Sequence, residues 1–114
     1  MTPVLGNYLR MHRKKTGLSQ RDLAILVGYK DQWQISRHER SGTTPSLVIA
    51  LAYQVVFRIP VSEIFTEVHA RATRTVEENL KAFESALKSS AGKGRAGRIT
   101  TQKVQWLAER SIRS

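Results

Sequence analysis

The stretch from Gly17 to Arg40 constrains this chain more than any other. Ser19 stands where a helix can begin, its hydroxyl able to accept from a free backbone N–H. Asp22, three residues on, completes a shortened capping box. Leu23, Leu26 and Val27 recur at three-to-four spacing, with the small Ala24 beside them, which predicts one apolar helix face. Gly28 stops this helix, because glycine takes the left-handed cap at no steric cost. Asp31 then caps a second helix to about Arg40, with Ile35 as its core residue. A tight, glycine-containing turn joins the two short helices.

Such a pair is the helix-turn-helix plan, whose second helix enters the DNA major groove. Around it stand Leu9-Arg10 and Arg13, Gly17-Leu18-Ser19-Gln20, Leu23-Ala24, Gly28, Ile35-Ser36-Arg37, Glu39-Arg40, Pro45-Ser46-Leu47, Leu51-Ala52 and Pro60-Val61-Ser62-Glu63-Ile64-Phe65. In that order, residues 5–65 resemble the Cro-like (Xre) helix-turn-helix family of phage repressors and bacterial regulators. The resemblance covers about half the chain. One feature departs from it: six residues, Tyr29 to Gln34, separate Gly28 from Ile35, one more than the family usually has.

The resemblance implies an all-α, five-helix repressor-like domain over residues 1–67. It also implies that Gln20 bonds a DNA phosphate and that Arg13 on the first helix pairs with Glu39 late in the third. That pair is structural: guanidinium and carboxylate meet bidentately and fix one helix against the other.

The residues of the second helix of the motif support a reading role directly. Counting back from buried Ile35, Gln32 and Trp33 occupy the first exposed turn, and Ser36 and Arg37 the next. Glutamine bonds adenine bidentately and arginine does so with guanine. Trp33 has two readings: contact with a thymine methyl or sugar, or folding back over the long turn. Gln34 faces a phosphate or solvent. Arg40 and Thr43, in a Ser/Gly/Thr loop, are placed to hold the DNA backbone, with Arg10 and Lys30 as further phosphate contacts. His38 reads as a packed histidine near helix 4, since no second His or Cys lies at a ligand spacing.

Charge is segregated along the chain. The net formal charge is +10. Residues 1–42 hold eight Lys/Arg against three Asp/Glu, residues 43–88 five against five, and residues 89–114 six against one. Basic surface attracts polyanions and supplies non-specific DNA affinity through counterion release. General solubility requires no such segregation. There is no cysteine, hence no disulfide framework and no thiolate zinc site. No apolar run approaches the about 20 residues of a membrane span. A signal-peptide apolar region is also lacking. The expected location is cytoplasmic, associated with the nucleoid, and no membrane or cofactor is expected.

Elsewhere the pattern is helical. Asn7 caps a first helix, Tyr8 to Lys15, with Leu9 toward the core. Ser46 caps a fourth, whose Leu47, Ile49, Ala50, Leu51 and Val55 make it core, or core plus a dimer contact. A fifth begins near Val61. Phe65, Val68, Ala72, Val76, Leu80, Phe83 and Leu87 form an apolar stripe along it, with a break possible near Thr73. Residues 68–88 thus extend past the small domain and need a partner: the same helix of a second chain, or the C-terminal segment folding back. Residues 89–99, with three glycines among basic residues, read as a flexible linker. Residues 100–114 read as a short helix capped by Thr100 or Thr101, with Val104, Trp106, Leu107 and Ala108 on one side.

Catalysis is not expected, because no nucleophile, base and orienting acid assemble and no phosphate-binding glycine loop follows a strand. The expectation is a sequence-specific, dimeric DNA-binding transcriptional regulator. The alternative is an antitoxin-type interaction module whose 89–114 tail binds a partner protein.

Overall fold

The computed structural model describes residues 6–89 and 95–113. Among them are seven helices and no strand: α1 (Leu9–Thr16), α2 (Gln20–Val27), α3 (Trp33–Glu39), α4 (Leu47–Phe57), α5 (Val61–Ile64), α6 (Thr66–Ser89) and α7 (Arg95–Arg113). The chain divides into two compact units, Met1–Ala72 and Thr73–Ser114.

In the first unit the helix ends are set by local chemistry. Asn7 Oδ1 accepts from the Leu9 N–H at 3.0 Å, but the N-cap of α1 is Tyr8, one residue later than expected and without a side-chain cap; Gly17 closes the helix at φ 80°. Ser19 Oγ accepts from the Asp22 N–H at 3.0 Å, and Asp22 accepts from the Ser19 N–H at 2.9 Å. This reciprocal box opens α2, and Ser19 holds the Asp22 carboxyl below its ordinary pKa by donating to the charged form. Gly28, at φ 97°, ends the helix, a conformation only glycine adopts freely. Ser46 Oγ caps α4 by accepting from Ile49. Arg58 ends it at φ 57°, an uncommon place for an arginine.

The core of this unit is Leu9, Leu23, Ala24, Ile35, Tyr53, Ile64 and Phe65, with Val27, Tyr29, Ile49, Val56, Phe57, Ile59, Val61 and Val68 packed around it. Leu26 differs from its expected place and is exposed. At about 100° per residue, Leu23, Ala24 and Val27 centre the buried face, and Leu26 falls roughly a quarter-turn outside it.

Three boundaries also differ. Helix α3 opens at Trp33, two residues later than Asp31. Asp31 still contributes, its Oδ1 accepting from the Trp33 N–H at 3.0 Å. The expected extended fifth helix is two helices: Phe65, at φ −111° and ψ 63°, turns the chain between α5 and α6. At that turn Ile64 and Phe65 are both buried. Helix α6 then runs through Thr73 without a break.

The C-terminal helix is longer than the stretch 100–114. It starts at Arg95, so part of the 89–99 linker is helical, and residues 90–94 lie outside the described residues. Thr101 does not cap it; its hydroxyl donates back to the Gly97 carbonyl at 2.9 Å. Within the second unit, α7 lies along the second half of α6. Leu80, Lys81, Glu84 and Lys88 face Val104, Leu107 and Ala108 across a groove, and Arg110 meets Glu77 at 3.7 Å. Of the two partners the apolar stripe admitted, the folded-back C-terminal segment is the one present within the chain.

Candidate functional site

Helix α3 is built to show one face and bury the other. Ile35 and His38, three residues apart, are buried. His38 Nδ1 lies 2.7 Å from the Tyr53 hydroxyl, its ring edge-on to that of Tyr53, and the Tyr29 ring is tilted against it at 6.2 Å. Burial, then the neighbouring Arg37 charge, pushes the His38 pKa below its ordinary value, so the imidazole is neutral at pH 7. Burial also raises the Tyr53 hydroxyl pKa strongly. Asn7 reaches across from the lead into α1, its Nδ2 donating to the His38 carbonyl at 2.8 Å and to Ser41 Oγ at 3.1 Å. This secures the end of α3 and holds Ser41 at φ 58°. Nothing in the local sequence announces the role of Asn7; its partners are more than 30 residues away.

A second polar cluster fixes α3 against α1 and α2. Arg13 Nε and Nη2 donate to the two carboxylate oxygens of Glu39, the latter at 3.1 Å, and Nη1 donates to the Leu18 carbonyl at 2.9 Å. Both side chains are at least nine-tenths buried. The bond to Glu39 is the main cause of a raised Arg13 pKa. Gln20 Nε2 donates to Glu39 Oε1 at 3.1 Å. Gln20 is therefore engaged inside this cluster, with only the rest of its amide available to a phosphate.

The outward face brings together several of the expected contact residues. Trp33, Arg37 and Arg40 follow one another at i, i+4 and i+7 and, with Gln34, line one shallow, open concavity. Trp33 is 68% exposed. That exposure does not fit the reading in which it folds back over the long turn; the half-buried Tyr29 of that turn packs against the core. Gln32 is exposed at the flank, just before the helix, and Ser36 is half-buried on the same flank. Arg37 is exposed, and Arg40 is exposed with its Nε donating to the Ser36 carbonyl at 3.3 Å. Arg10 and Lys30 are exposed too.

Thr43 differs. Its Oγ1 is buried and has no hydrogen-bond partner among the described residues, so this hydroxyl is not presented to the expected phosphate. A polar group turned inward cannot also serve the surface.

Among the described residues, no group of three His, Cys, Asp or Glu is arranged to hold a metal ion, and no helix is long and apolar enough to cross a membrane. Compared with known proteins, the chain matches no family model and no curated sequence.

Proposed function

We propose that the protein is a sequence-specific, helix-turn-helix DNA-binding regulator that acts as two copies on a near-palindrome. The observation that carries this reading is the outward face of α3. Trp33, Arg37 and Arg40 share one exposed concavity, while Ile35 and His38 anchor the helix from behind. Arg37 reads guanine through two donors, Gln32 reads adenine, and Trp33 supplies an apolar surface for a thymine methyl. Ser36, on the flank, reaches a base only where the groove edge comes close. Arg10, Lys30, Gln34, Arg40 and the N–H groups at the start of α2 hold phosphates, with Gln20 as an auxiliary. Arg13 and Glu39 act only through the positions of α1 and α3. The charge of +10, half of it in residues 1–42, supplies the sequence-independent attraction.

Two copies set two α3 helices about one helical turn, ~34 Å, apart. Selection of bound duplexes from a random pool by the full chain tests the reading. It predicts an enriched, two-fold related motif containing G and A or T in each half. A pool that stays random after repeated selection would sink it.

A second reading draws on the exposed Ile99, Val104 and Trp106 of α7. These suit an interaction module of antitoxin type, whose C-terminal helix binds a partner protein. Co-purification of one small protein that is lost on Trp106→Ala would favour it.

A further inference from the structure

Helix α4 carries a feature the DNA reading leaves unused. Its eleven residues contain no Asp, Glu, Lys or Arg, in a chain whose net charge is +10. Ala50 and Tyr53 point into the core, and Ile49, Val56 and Phe57 pack against it. The opposite side is also apolar, and it is open: Leu47, Val48 and Val55 are 74, 75 and 76% exposed, and Leu51 is 45% exposed. Single exposed apolar residues need no explanation, but four on one short helix face form a patch of the kind that marks an interaction site.

We infer that this face is the interface through which two copies of the chain associate, α4 against α4 about a two-fold axis. The inference rests on the two-copy part of the reading above and is independent of whether DNA is the ligand.

The choice of occupant follows from charge and symmetry. A nucleic acid, an anionic lipid surface or an acidic protein needs cations at the contact, and α4 offers none. Two strongly basic copies repel wherever their charged surfaces meet, so an uncharged face is where they approach at least cost. A two-fold contact must be self-complementary, and an apolar stripe is, without any matching of donors to acceptors. Leu47, Leu51 and Val55 lie in one i, i+4, i+8 row, a ridge that packs into the grooves beside the same ridge of another helix at a crossing angle of about −50°. Leu51 is central and lies nearest the axis.

The α6–α7 hairpin is the competing surface. Its Val76, Phe83, Ile99, Val104 and Trp106 are 40–49% exposed, about as much as Leu51 but less than Leu47, Val48 and Val55. Its stripe already has α7 against it, and Glu77, Lys81, Glu84 and Lys88 line the groove between the two helices.

The natural absence of cysteine gives a clean test. In the full chain, Leu51→Cys is expected to form a disulfide-linked dimer under mild oxidation, because two residues near the axis bring their Cβ atoms within bonding reach. Phe83→Cys is expected not to. Sedimentation of the unmodified chain should give a dimer, and Leu51→Lys with Val55→Lys should give a monomer with an unchanged helical circular-dichroism spectrum, since both positions are exposed.

Three results would overturn the inference: a chain that stays monomeric up to about 100 μM, weaker than most specific association; a dimer that survives the double lysine variant; or a dimer lost in Phe83→Lys instead. A monomeric chain that still selects a DNA motif removes this interface and leaves the DNA reading standing. A Leu51→Cys cross-link in a chain that selects no motif does the reverse.

Discussion

Between residues 6 and 72, seven apolar side chains close into one core, and two polar clusters, Arg13–Glu39–Gln20 and His38–Tyr53, are buried with partners. Between residues 73 and 113, Leu87 alone among the described residues is buried to a comparable degree, at 7% exposure. The first unit has many short helices whose ends are fixed by capping residues and whose faces meet from several directions. The second has two longer helices meeting along one line, which leaves half of each apolar stripe open. Stability in the first unit therefore comes from tertiary interlocking, and in the second from helix length plus a single seam. The outward face of α3 belongs to the interlocked unit, where α3 is held from three sides and Trp33, Arg37 and Arg40 stay exposed.

The sharpest way to break this contrast is Glu39→Ala. Removing one member of a buried ion pair typically costs about 3–5 kcal/mol, because the other charge stays buried alone. Melting of the first unit should fall by more than about 10 °C, given 4–8 °C per kcal/mol for a domain of this size. A shift of only a few degrees would show that the Arg13–Glu39 cluster is peripheral. Leu87→Ala should act elsewhere. Loss of a buried leucine costs about 2–5 kcal/mol where the core is closed, and an open seam puts it at the low end. The effect should appear as lost protection of amides in α6 and α7 in hydrogen exchange, with the amides of α1–α4 unaffected. Equal loss in both regions would mean that the two units are one cooperative body.

Tyr53→Phe is expected to cost about 1–3 kcal/mol, the penalty for leaving a buried polar group, here His38 Nδ1, without its partner. The same histidine gives the first unit a pH dependence. Its folded pKa lies below the ordinary value near 6.5, so the unfolded chain takes up the proton first. Stability is then complete above about pH 6.5 and falls as pH drops from there toward the depressed folded pKa. Thermal melts from pH 7.5 to 5 should show this loss in the natural chain and a flatter profile in His38→Gln. A profile that instead rises toward acid would mean that the buried ring is protonated. The smallest effect is expected from Arg58→Gly. Relief of a left-handed residue should stabilise by roughly 0.5–1 kcal/mol, less the added chain entropy of glycine.

What could be read from the amino-acid sequence was mostly local. The Ser19–Asp22 box and the stop at Gly28 involve partners within a few residues, so α2 is legible to its ends. The burial of Leu9, Leu23, Ala24 and Ile35 follows from helical spacing. The exposure of Leu26 does not, since spacing alone cannot tell the centre of an arc from its edge. The turn at Phe65 accompanies packing against the core, and neither it nor the start of α7 at Arg95 is signalled by a local residue. At the candidate site, the exposure of Arg37 and the burial of Ile35 and His38 follow from one periodicity. The direction of Trp33 did not, because it depends on how the longer turn packs, with Tyr29 taken up against the core. The inward hydroxyl of Thr43 and the reach of Asn7 across to Ser41 belong to loop geometry, which composition does not encode.

The outward face of α3 is probed most directly by Arg37→Ala, with binding measured on the selected duplex and on random duplex at the same salt. Arg37 is exposed and outside both buried clusters, so the variant should keep the fold and melting temperature of the natural chain. Affinity for the selected duplex should fall by about 1–3 kcal/mol while affinity for random duplex falls far less, and one base position should lose its preference. Equal losses on both duplexes, or no loss on either, would contradict a base-reading α3.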